Sequence, residues 1–155
     1  MNRFVLGAVL AVGCARTAAP TGAEPTRDAA AALDGCPSET REGATTWSCG
    51  NAFLALDADV PEPATPEAID ANLREFEGQF GKDVTSRDPS DYVLAGIKHR
   101  ALRIRVAMAE KGRFVATMVV VAKGDRSRVI SCSAREIEAS RCADAVAFLV
   151  GRALK

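Results

Sequence analysis

From Leu102 onward the chain shows a period of two. Leu102, Ile104, Val106 and Met108 alternate with Arg103, Arg105, Ala107 and Ala109. Strand side chains point to opposite faces in turn, so this is a strand with one buried face. Lys111-Gly112 then turns the chain into Phe114 to Ala122, which is almost wholly apolar. A strand apolar on both faces belongs in the middle of a sheet covered on both sides. Lys123-Gly124-Asp125-Arg126 makes a second hairpin, into Val129-Ile130-Ser131-Cys132. Three strands joined by such short turns predict an antiparallel meander. Val93, Ala95 and Ile97 also alternate, but on the opposite parity. The reading places a turn or bulge near His99 to Ala101 to reconcile the two runs.

Other elements surround this block. Thr45 to Cys49 and Phe53 to Leu56 have strand composition and are split by Gly50-Asn51. Asp57 to Thr65, with Pro61 and Pro63, reads as loop. A helix follows, with Thr65 as N-cap and Pro66 in the first position, and Ile69, Leu73, Phe76 and Phe80 form its apolar stripe. Gly81 is its expected stop. The stretch around Asp88-Pro89-Ser90-Asp91 is polar. The last element is a helix expected to be capped by Ser140, with Cys142, Val146, Leu149, Val150 and Ala153 on one side. Runs of strands separated from helices predict an α+β fold, two helices packed on an antiparallel sheet as a sandwich.

The first fourteen residues have a different logic. Arg3 precedes an uncharged apolar run from Phe4 to Val12, and Gly13 leads to Cys14. That order is a secretory signal peptide, far shorter than the ~20 residues of a spanning helix. Ala11-Val12-Gly13-Cys14 resembles the lipobox of bacterial lipoprotein precursors. The resemblance implies cleavage before Cys14 and acyl chains, such as palmitate, on that residue. With Ala15 next, it also implies an outer-membrane site facing the periplasm. Two or more acyl chains hold a protein on a bilayer where one binds only marginally. Residues 14–35, rich in Ala, Thr, Pro and Gly, read as a flexible tether, and residues 36–155 as one domain.

With Cys14 assigned to lipid, Cys36, Cys49, Cys132 and Cys142 remain. Four cysteines allow three pairings. The local ones, Cys36–Cys49 and Cys132–Cys142, are favoured because each closes a short loop, for about 3 kcal/mol in the chain-entropy model. No Cys-x-x-Cys occurs and His99 is the sole histidine, so zinc spacing is absent. Asp57, Asp59 and Glu62 offer oxygens to calcium, but a solvated loop explains them as well. Neither a P-loop nor a dinucleotide fingerprint occurs, and no cofactor is expected.

Charge is segregated along the chain. Asp34 to Asp91 holds thirteen acids against four bases, and Tyr92 to Lys155 five acids against thirteen bases. The whole chain is balanced, with 20 bases and 20 acids, which excludes an ordinary nucleic-acid binder. Arg100, Arg103, Arg105 and Arg113 are the candidate partner-binding residues, for an acidic envelope protein or peptidoglycan carboxylates. The competing explanation is that acidic helix and basic sheet neutralise each other. A hydrolase would have to use His99 with a serine such as Ser90, Ser127, Ser131 or Ser133, and no Gly-x-Ser-x-Gly exposes one. Trp47 and Tyr92 are a candidate ligand platform, with core packing of Trp47 near Cys49 as the alternative.

From Trp47 to Leu154 the chain resembles the PsbP-like α/β sandwich. The matching features are Trp47 before an early strand, the helix from Pro66 to Phe80, the segment from Gly96 to Ala109, and Ser131-Cys132 followed by a helix. The resemblance implies a binding or assembly module rather than an enzyme, and transfers no site residue. The expected function is a non-catalytic envelope lipoprotein, with a periplasmic inhibitor or immunity-type protein as the alternative.

Overall fold

A computed structural model of the protein describes residues 30–155 apart from Asn51 and Glu62. The lipobox, Cys14 and the expected tether up to residue 29 lie outside the described residues. The chain forms β1 (Ser38–Arg41), β2 (Ala44–Cys49), β3 (Phe53–Val60), α1 (Pro66–Gly78), β4 (Val84–Asp88), β5 (Asp91–Leu94), β6 (Ile97–Met108), β7 (Gly112–Lys123), β8 (Arg126–Arg135) and α2 (Ala139–Ala153). The fold is mixed α+β. One antiparallel sheet runs in the order β1-β2-β3-β8-β7-β6-β4, and β5 also pairs with β6. Asp88 lies opposite Arg103 and Asp91 opposite Arg100, so β4 and β5 keep one register along β6. They make a single edge interrupted at Pro89-Ser90. A proline, lacking an N–H, suits an edge.

The two helices cover opposite faces of the sheet. α1 packs Ile69, Leu73 and Phe76, with Phe80 just beyond it, against Leu102, Ile104, Val106, Phe114, Ala116 and Val120. α2 packs Cys142, Val146, Leu149 and Val150 against Phe53, Val119, Val121, Ile130 and Cys132. Even-numbered residues of β7 serve one core and Val119 and Val121 the other. This is why that strand carries almost no polar residue between Phe114 and Ala122. The Thr65 hydroxyl accepts from the Ala68 backbone N–H at 3.2 Å and Pro66 begins the helix. Disulfides join Cys36 to Cys49 and Cys132 to Cys142.

Several boundaries differ from the sequence reading. The turn before β6 is at Ala95-Gly96, not at His99 to Ala101, and both turn residues have positive φ (50° and 77°). Parity flips because the chain reverses there. Asp57 to Val60 continue β3 rather than forming a loop. Val84–Asp88 is a strand whose exposed residues carry no apolar period. Helix α1 ends at Gly78, and Gly81 opens a short 3₁₀ turn instead. Glu138, not Ser140, occupies the N-cap of α2, and it makes no side-chain cap bond. Ala32 and Leu33, within the expected tether, are buried in the α2-side core.

Candidate functional site

Helix α2 lies over β3, β7 and β8, so the same face of the sheet is left less covered toward β6 and its β4–β5 edge. The result is a groove of about 80 Å³. One wall is α2, through Ala139, Cys142, Ala143 and Val146. The floor is Ala101, Arg103, Val115 and Thr117, and the other wall is Asp88, Ser90, Asp91 and Tyr92. Alanines on the helix wall leave the space open. The Cys132–Cys142 disulfide ties that wall to β8.

Arg103 is the distinctive group in this groove. It is half-buried and, among the described residues, its side chain has neither a hydrogen bond nor an ion pair. Asp88 faces it in register on β4 yet forms no ion pair with it. A guanidinium in such a place presents a planar fork suited to a carboxylate. Tyr92 lines the same groove, and its phenol is pushed up to about 12 by burial and then by the charge of Asp144. The hydroxyl therefore keeps its proton and remains a donor at neutral pH.

The other candidate residues fall elsewhere. Arg100 faces α1, on the opposite side of the sheet, and donates to Asp70 at 2.6 Å. Arg105 donates to Glu136 at 2.7 Å, and Arg113 lies 4.0 Å from the same carboxylate. The four arginines therefore do not form one patch. Arg100 is separated from the rest, two share an acid, and Arg103 alone lines the groove. Pairing of acids from the first half with bases from the second, as in Arg100 with Asp70, accounts for part of the sequence segregation.

His99 is 5 % exposed and lies opposite Tyr92, and its Nε2 has no hydrogen-bond partner. Burial lowers its pKa, so the imidazole is neutral at pH 7. Asp57 is also buried, its side chain 3 % exposed, and Arg128 donates to it at 2.9 Å from Nε. Arg152 stands 3.9 Å from Asp57, and Arg128 also approaches Asp59 at 3.6 Å. These guanidiniums occupy the oxygens considered for calcium, and Glu62 lies outside the described residues. Among the described residues no group of three or more His, Cys, Asp or Glu is gathered as a metal site, and no helix is long and apolar enough to cross a membrane. Trp47 on β2 and Tyr92 on β5 belong to opposite ends of the sheet, so they form no common platform. Trp47 packs against the α2-side core beneath Arg152, whose guanidinium carbon is 5.9 Å from the ring centroid.

The sequence reading missed Asp88, Ser90 and Thr117 as groove residues. The signal was the Ala95-Gly96 turn: a two-residue hairpin before a long strand demands an upstream partner in register, which brings residues 84–94 alongside β6.

No protein-family model matches the chain, and no curated protein sequence matches it. Among solved structures the chain is similar to CalU16 from Micromonospora echinospora, at 12% sequence identity and a TM-score of 0.37, over 76% of this chain and 80% of that one.

Proposed function

We propose that this chain is a non-catalytic binding module of a bacterial envelope, anchored by lipid on Cys14 at the periplasmic face of the outer membrane, and that the groove around Arg103 takes a carboxylate of its partner. The observation that carries the groove assignment is the half-buried guanidinium of Arg103, without a side-chain partner, in the same groove as the protonated phenol of Tyr92. A half-buried guanidinium with no side-chain partner offers its N–H fork to an anion that enters the groove. Peptidoglycan stem peptides present free carboxylates in the same compartment and are the partner we favour. The anchoring assignment rests on Ala11-Val12-Gly13-Cys14. The resemblance to the PsbP-like sandwich, mostly binding and assembly modules, supports a non-enzymatic role.

Two measurements test this. Intact mass of the protein extracted from membranes should show acyl chains on a chain beginning at Cys14, and Cys14→Ser should move the protein to the aqueous fraction. Purified sacculi should sediment the soluble domain, with Arg103→Ala lowering the bound fraction at least fivefold and Arg100→Ala leaving it unchanged. Equal sedimentation of Arg103→Ala and the parent would remove the groove from the reading.

A further inference from the structure

The two disulfides sit in contrasting surroundings. Cys132 and Cys142 are 1 % and 2 % exposed, in the core between β8 and α2. Cys36 and Cys49 are half-buried and pack against the outside of that core. Arg141, in the first turn of α2, reaches this outer pair. Its Nη2 lies 3.1 Å from the Sγ of Cys36 and 3.1 Å from the Sγ of Cys49. The guanidinium is fixed in place: Nε donates to the Ala32 carbonyl at 2.8 Å, and its carbon stands 5.0 Å from the Phe53 ring centroid. Among the described residues no carboxylate pairs with Arg141. Besides a long 3.5 Å contact of Nη2 with the Asp34 carbonyl, its charge faces two sulfur atoms, which are weak acceptors while they are bonded to each other and strong ones once one becomes a thiolate.

We infer that Cys36–Cys49 is an exchangeable disulfide, activated by Arg141, that accepts electrons from a dithiol, whereas Cys132–Cys142 is structural. Exchange proceeds by attack of a thiolate on one sulfur of a disulfide, and it is faster when the departing thiol has a low pKa and the bond is accessible. A neighbouring cation lowers that pKa. Here the attacking thiolate of the dithiol forms a bond to one of the two sulfurs, the Cys36–Cys49 bond breaks, and the other cysteine departs as a thiolate held by Arg141. The second thiol of the dithiol then attacks the mixed disulfide. It leaves as the oxidised, cyclic or intramolecular disulfide, and both cysteines are reduced. Two electrons and two protons pass from the dithiol to Cys36 and Cys49. Arg141 lies within reach of both sulfurs, so either can serve as the leaving group.

The test uses dithiothreitol on the folded protein at pH 7, with timed alkylation and mass spectrometry of each cysteine. Cys36 and Cys49 should become alkylated together while Cys132 and Cys142 remain disulfide-bonded. Arg141→Gln should slow that reduction roughly tenfold, because the leaving thiol loses its neighbouring cation, and Arg141→Lys should keep most of the rate. Exposure alone would make the outer pair react first, so the Gln and Lys comparison carries the role of the charge. Reduction of both pairs at one rate, or an Arg141→Gln rate equal to the parent's, would overturn the inference. A second measurement needs no substitution. In parent protein with only the outer pair reduced, the pH dependence of alkylation should show a thiol titrating below the ordinary cysteine value of about 8.5. Titration at or above that value also overturns it.

Discussion

Ala95 holds a backbone conformation that an alanine adopts only under strain. With φ at 50° it precedes Gly96 at 77° in a two-residue hairpin, the geometry in which asparagine followed by glycine is favoured. The left-handed region costs an ordinary residue roughly 1–2 kcal/mol, and asparagine less. Ala95→Asn should therefore raise unfolding free energy by about 0.5–1 kcal/mol, read as a higher urea midpoint at unchanged slope. An unchanged midpoint would mean that the β5–β6 turn relaxes elsewhere. His99 is a second residue-scale case. Its folded-state pKa is depressed below 6.5 by burial, so the unfolded chain binds the proton more readily. Stability is full above pH 6.5 and is lost as pH falls from there toward the lower, folded-state value. The melting temperature should drop between pH 7.5 and pH 5. His99→Phe, which removes both the titration and the unpartnered Nε2, should flatten that drop.

At the scale of elements, the α2-side core is held at one end by charge and along its length by a covalent link. Asp57 on β3 meets Arg128 on β8 within 2.9 Å, and Arg152 near the end of α2 stands 3.9 Å away. Removing one partner leaves buried charge uncompensated, a cost of about 3–5 kcal/mol for fully buried pairs. Arg128 is a third exposed, so Asp57→Ala should lose about 2–3 kcal/mol in urea unfolding, below the range for fully buried pairs. A loss under 0.5 kcal/mol would show that water already screens the pair. The same residue explains what could be read beforehand and what could not. The Thr65-Pro66 start and the alternation from Leu102 to Met108 were legible because cap, turn and period are local signals. Asp57 read as loop because an acid before Pro61 and Pro63 looks solvated. Its partner Arg128 lies 71 residues away, and only the β3–β8 register brings them together. The β4 edge was invisible for the opposite reason: its side chains pack against little and have no pattern to read.

At the scale of the molecule, acids from the first half of the chain meet bases from the second. Asp57 and Asp59 meet Arg128, Asp70 meets Arg100, and Asp91 lies 3.9 Å from Lys98. Part of the segregation in sequence is thus spent within the fold, and the interest passes to cations that it leaves over. Glu136 controls two more of them on the groove face, through Arg105 at 2.7 Å and Arg113 at 4.0 Å. Arg105 and Arg103 are two residues apart on β6 and so share a face of the sheet. Glu136→Gln would free both guanidiniums beside the groove while keeping the side chain's size. Exposed pairs of this kind contribute about 0–1 kcal/mol, so little stability should be lost. If a carboxylate partner docks at Arg103, the variant should bind sacculi about two- to fivefold more strongly at low salt, the equivalent of that pairing energy. The gain should shrink toward 0.15 M salt as screening sets in. A weaker interaction in Glu136→Gln than in the parent would mean that the acid itself contacts the partner, and the carboxylate assignment would fall.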